Sequence, residues 1–145
     1  VQDTATSDTK SIENEDVADE ETQAVMSLSD EQLNLLSKLV AAEARGESYE
    51  GQVAVAAVVL NRVKDSRFPD SIEGVIYQKN AFSVVRDGYI NAQPTEESYK
   101  AAKDALYGND PTNDAIYFWN PDISTCNWIN TLNPHLRIGN HVFAR

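Results

Sequence analysis

Glu43-Ala44-Arg45-Gly46-Glu47-Ser48-Tyr49-Glu50-Gly51-Gln52-Val53-Ala54-Val55-Ala56-Ala57-Val58-Val59-Leu60-Asn61-Arg62-Val63 is the stretch that sets the architecture. Its second half contains Val53 to Leu60, eight apolar residues without interruption. A bilayer span takes roughly 20 such residues, so this run is too short to cross a membrane. On a helix it is apolar on every face, and a helix of that kind must be enclosed by the rest of its domain. About Glu50 to Lys64 is therefore predicted to be the core helix. The first half ends a different helix. Ser29-Asp30-Glu31-Gln32 has the form of a capping box, Leu33, Leu36, Val40 and Glu43 recur at helical spacing, and Gly46 supplies the stop, which predicts a helix over about Asp30 to Arg45.

Outward from this pair, Asp70-Ser71-Ile72-Glu73 opens a short helix with Ile72, Val75 and Ile76 on one face. Thr95 caps another that runs to about Tyr107 and is closed by Gly108. Ala81 to Tyr89 reads as extended or looped. Ala115 to Trp119, Leu136 to Ile138 and His141 to Phe143 are strand candidates, the last two joined by Gly139-Asn140. The fold class is α+β, helix-dominated with a small β portion. A chain of 145 residues fits one domain that buries about two-thirds of its unfolded surface without a disulfide or metal staple.

Charge marks a boundary. The net charge is −11 and the pI about 4.4, the wrong sign for holding a phosphate backbone, so nucleic acid is not expected as a partner. Residues 1–28 hold eight acids against Lys10 alone, a net of −7, and have no aromatic residue. Such a segment buries too little to offset its ordering entropy, and is expected to be a disordered acidic tail ahead of a folded domain at 29–145. Val1 in place of a start methionine is compatible with a removed secretion signal. The lone Cys126 has no internal disulfide partner, and with only His135 and His141 beside it no zinc cage is expected. Both histidines read as ordinary exposed or hydrogen-bonded residues.

The candidate for chemistry is Glu43. It continues the stripe Leu33, Leu36, Val40, so its carboxyl faces the apolar side, in the last helical turn where free carbonyls make the potential negative. Both effects raise a carboxyl pKa, as a general acid at neutral pH requires. The ordinary alternative is a helix-end Glu paired with Arg45. Glycoside chemistry commonly uses a second carboxylate. Glu47 is nearest in sequence but lies past the Gly46 break, where a pair with Arg45 or a cap for the next helix is its plain reading; Asp87 and Glu50 are weaker. Phe82, Tyr89, Tyr117, Phe118, Trp119, Asn120, Trp128 and Asn130 form an aromatic and amide set suited to sugar faces, N-acetyl groups and hydroxyls. Strand alternation places Tyr117 and Trp119, or Phe118, in the core.

The opening run resembles the signature of the SleB/CwlJ-type cell-wall hydrolases, the spore cortex-lytic enzymes and their relatives. The similarity continues in Gly74-Val75-Ile76-Tyr77, Ala81-Phe82-Ser83, Tyr117-Phe118-Trp119-Asn120-Pro121-Asp122 and Ile138-Gly139-Asn140-His141-Val142-Phe143, covering about Leu33 to Arg145. The resemblance implies a lysozyme-like, lytic-transglycosylase-like domain acting on the glycan strands of peptidoglycan with one essential glutamate, which falls on Glu43. It also implies that Phe82, Ser83, Asn120 and Trp128 lie along the glycan groove, that no metal or cofactor is required, and that a monomer acts in the bacterial envelope, the spore or the extracellular space. Three features depart from the pattern. Ala42 stands in place of a glycine, Asn130 in place of a second tryptophan, and the acidic segment in place of a peptidoglycan-binding module. A hydrolytic muramidase using Glu47 or Asp87, a non-catalytic glycan-binding module and an acidic adaptor are the alternatives.

Overall fold

A computed structural model describes residues 23–145. Five helices and three strands form it: α1 (Asp30–Glu43), α2 (Tyr49–Lys64), α3 (Ile72–Ile76), α4 (Ser83–Arg86), α5 (Glu96–Leu106), β1 (Tyr117–Trp119), β2 (Leu136–Ile138) and β3 (His141–Ala144). The α+β, helix-dominated class is the one observed.

Polar side chains at the helix starts do much of the local work. The Ser29 hydroxyl accepts the Gln32 amide while the Gln32 side chain accepts the Ser29 amide, and Thr95 and Ser98 make the equivalent box on α5. Ser48 and Ser71 cap α2 and α3. Each cap contributes about 1 kcal/mol. Every residue of α2 from Gly51 to Arg62 is buried, with α1, α3 and α5 around it, as its apolar run requires.

The sheet runs β1-β3-β2, antiparallel throughout. Phe118, Leu136, Ile138, His141 and Phe143 share one face by register, and Phe143 and Ile138 pack on Ala54 and Val58 of α2. Trp119, Val142 and Ala144 occupy the other face, covered by Ile129 and Leu132.

Three expectations change. The tail prediction for 1–22 lies outside the described residues, but 23–28 belong to the folded part: Val25 donates to the Leu106 carbonyl at 2.8 Å, and Met26 and Leu28 pack on the core. The boundary at Ser29 thus falls inside the domain. The stretch Ala81–Tyr89 is not simply looped, since it holds α4 and the start of a 3-10 turn, Tyr89–Asn91. Helix α1 stops at Glu43, two residues before the predicted Arg45.

The entry to β1 is pinned to α2. Asp110 accepts from the Thr112 amide at 2.8 Å, the Asp114 amide at 3.0 Å and Asn61 Nδ2 at 3.1 Å; Asn61 also donates to the Ala115 carbonyl at 2.9 Å. Burial alone would raise the Asp110 carboxyl, but these bonds and that of the Thr112 hydroxyl outweigh it and hold the pKa below the usual range. Asp110→Ala is expected to cost about 2–3 kcal/mol at neutral pH, because charged hydrogen bonds go and Asn61 is left half-paired. A depressed carboxyl stabilises above its unfolded pKa and ceases to as pH falls through the folded value. The gap between the two proteins in urea unfolding should therefore shrink below about pH 4.

Candidate active site

Glu43 is the last residue of α1. The Ala44 amide closes the helix on the Val40 carbonyl at 2.8 Å, and the chain then turns through Gly46 at φ +81°, a left-handed backbone that favours glycine. The side chain is left partly buried on the apolar stripe, below Leu36, Leu39 and Val40, all sealed from solvent. Burial pushes its pKa up to about 7, opposed by the Val84 backbone amide in the first turn of α4 and by the Arg62 charge. Arg45 is exposed and makes no ion pair with it among the described residues. A carboxyl so placed is protonated for much of the time near neutrality and is able to take a proton back, the two properties acid–base work demands.

Phe82, Phe118 and Arg62 form an aromatic and cationic layer. Phe82, in the residue before α4, is 6% exposed and belongs to the main core. Its ring lies 6.3 Å from Phe118 and 5.4 Å from the Arg62 guanidinium. Phe82 is thus a core side chain rather than a groove-lining one, whereas Ser83 next to it is exposed. Trp128 is 56% exposed and stands edge-on to Tyr117 at 5.3 Å, free to offer a face to a sugar. Asn120 turns inward on its own loop, its Oδ1 accepting the Asp122 amide at 2.9 Å. Sequence reasoning passed over Arg62, whose signal was a polar pair, Asn61-Arg62, ending an otherwise apolar helix.

Glu47 is held by the hairpin. Its carboxylate accepts the Asn140 amide at 3.3 Å and Asn140 Nδ2 at 3.0 Å. Gly139 turns the hairpin at φ +60° with no side chain, and any Cβ there would collide with Glu47 Oε1. Glu47 is therefore a clasp between the α1–α2 turn and the β2–β3 hairpin, and among the described residues it is not paired with Arg45. Asp87 is exposed and 3.4 Å from Arg86; Glu50 is exposed.

The remaining candidates resolve simply. His135 bonds the Thr112 carbonyl at 2.7 Å, as expected. His141 departs from its expectation: it is 9% exposed, and its Nδ1 has no partner among the described residues. It reaches this position by following the hairpin turn onto the inner sheet face, edge-on to Phe118 at 5.1 Å. Cys126 is a free, exposed loop thiol. Among the described residues no group of three His, Cys, Asp or Glu side chains is gathered to hold a metal, and no helix is long and apolar enough to cross a membrane.

Comparison with known proteins shows the family and the fold. The cell wall hydrolase family model matches residues 46–144, beginning just after Glu43. The spore cortex-lytic enzyme of Bacillus subtilis (strain 168) is 48% identical over 116 residues, 80% of this chain and 38% of its own length. The chain therefore spans well under half of that relative. Two solved structures are similar at 45% identity: the catalytic domain of the Bacillus cereus SleB protein, with a TM-score of 0.77 over 82% of this chain and 93% of that one, and the catalytic domain of the germination-specific lytic transglycosylase SleB from Bacillus anthracis, with a TM-score of 0.78 over 81% and 97%. With most of its described residues matched in sequence and in fold, the chain belongs to the cell wall hydrolase family.

Proposed function

We propose that this chain cleaves the glycan strands of peptidoglycan between N-acetylmuramic acid and N-acetylglucosamine, as a lytic transglycosylase with Glu43 as its one catalytic acid and base. The observation that carries the reading is the partly buried Glu43 carboxyl at the end of α1, which burial pushes up to about 7.

The protonated Glu43 gives its proton to the bridging oxygen, and an oxocarbenium-like centre develops at the muramic anomeric carbon. The resulting carboxylate then takes the proton of the muramic 6-hydroxyl as that oxygen closes on the anomeric carbon. Ring closure needs no second carboxylate, which suits a site where Glu47 is engaged by Asn140. The 6-hydroxyl is also held near by the sugar itself; effective molarities of well-oriented intramolecular attack reach roughly 10⁵ M, far above that of bulk water. Trp128 and Ser83 are the exposed groups offered to the glycan, with Phe82 and Asn120 shaping the walls behind them. The relatives' names support the spore or cell envelope as the setting and suggest spore cortex as the first substrate to test.

Incubating the purified chain with insoluble peptidoglycan is expected to release soluble muramic-acid fragments. Adsorption without release would contradict the proposal and favour a binding module.

A further inference from the structure

The turn that carries the chain away from Glu43 is held chiefly at one residue. Arg45 and Gly46 are exposed, and a Cβ added at Gly46 would meet nothing within 4 Å. Glu47, by contrast, is tied in three directions. Its amide donates back to the Ala44 carbonyl at 2.9 Å, which closes the turn on the residue next to Glu43. Its carbonyl accepts Gln52 Nε2 at 3.4 Å, and the same nitrogen donates to Glu97 of α5 at 2.7 Å. Its carboxylate accepts both the backbone amide and Nδ2 of Asn140, at 3.3 and 3.0 Å. Two glycines make room for this side chain: a Cβ on Gly51 would lie 3.1 Å from Glu47 Cβ, and one on Gly139 would collide with Oε1. The far end of the clasp is itself anchored, since His141, next to Asn140, is buried edge-on to Phe118 on the inner sheet face.

We propose that Glu47 is a positioning residue for the cleavage reaction: through Asn140 it anchors the α1–α2 turn to the β2–β3 hairpin, and so fixes the backbone from which Glu43 reaches its substrate. The inference rests on the reading of Glu43 as the catalytic acid and base.

The need for such an anchor follows from where Glu43 sits. It is the last residue of α1, where the final carbonyls have no partner within the helix and helix ends fray. A general acid has to come within hydrogen-bond reach of the oxygen it protonates, and a displacement of about 1 Å can cost about a hundredfold in rate. Ala44, Arg45 and Gly46 alone stand between Glu43 and Glu47, so a hold on Glu47 is a hold on the helix end. A carboxylate suits the task, because charged acceptors make shorter and stronger hydrogen bonds than neutral ones, and this one takes two donors from a single residue of the hairpin. Among the described residues, no other side-chain hydrogen bond ties this turn to the sheet.

The test measures kcat and KM of the full chain on soluble glycan fragments, with the folded fraction of each variant determined alongside. Glu47→Ala should lower kcat roughly ten- to hundredfold with KM little changed, because the residue holds a turn rather than glycan. Asn140→Ala, which keeps the backbone amide as a donor, should lose less. The double variant should lose no more than Glu47→Ala, since both act through one contact. Glu47→Gln retains an acceptor and should recover part of kcat. Should Glu47→Ala not fold, Gly139→Ala keeps both partners but drives Oε1 out of place, and carries the same expectation. Full kcat per folded molecule in Glu47→Ala or Gly139→Ala overturns the inference and leaves the role of Glu43 standing. Losses that multiply in the double variant place Glu47 on the substrate itself and also overturn it. Full activity in Glu43→Gln overturns the catalytic reading instead.

Discussion

Glu43→Gln is expected to lower glycan cleavage by about 10²–10⁴-fold, toward the upper end because one group serves both proton transfers. The amide keeps the volume of the side chain but neither gives the bridging oxygen a proton nor takes one from the 6-hydroxyl. The variant should fold, and a sign argument says that it gains stability at alkaline pH. Burial raises the carboxyl to about 7, so the folded protein holds a proton that the unfolded chain has already released. This contribution is complete below about pH 4 and is lost as pH rises to the folded value, a loss of up to roughly 3 kcal/mol. Gln has no proton to lose, so urea unfolding at about pH 8 should show the variant at least as stable as the parent. Glu47→Gln should lose far less activity, since Glu47 holds a hairpin rather than a reacting atom. If the two variants exchanged rank in a wall-clearing assay, Glu47 would be the catalytic carboxylate.

Phe143→Ala should carry the largest cost in stability. Phe143 is 0% exposed, pairs with Phe118 on one side and Leu136 on the other, and fills the space between the sheet and α2. Truncating a buried Phe to Ala costs about 3–5 kcal/mol through lost burial and the cavity left behind. That is a large share of the 5–15 kcal/mol typical of a whole domain. The urea midpoint should fall accordingly, with activity per folded molecule largely kept. A loss under about 1 kcal/mol would mean that the sheet does not depend on this ring.

The elements that read well in the sequence are those whose signal is local. The Ser29 and Thr95 boxes, the left-handed Gly46 and the eight-residue apolar run each act within a turn or two, so α1, α2 and α5 were placed nearly as found, and Gly139-Asn140 marked the hairpin. Glu43 was legible for the same reason, being in phase with Leu36 and Val40. Helix α4, at four residues, is too short to show a period and is held by packing of Val84 and Val85 against the core. The clasp of Glu47 by Asn140 joins residues 93 positions apart, and the Arg62 bond to Ile116 joins residues 54 apart. No spacing rule reaches that far. Met26 and Leu28 show no pattern, being two apolar residues in an acidic segment, although they pack on the core.

The central claim, one carboxylate and ring closure, is tested most directly by the mass of the muramic end in the soluble products. Transglycosylation should give 1,6-anhydro-muramic ends, about 18 mass units lighter than hydrolysed ones and resistant to borohydride reduction. Glu43→Gln digests should lack them. A digest dominated by reducible muramic ends would contradict the account, because it requires an activated water and with it a second carboxylate acting opposite Glu43.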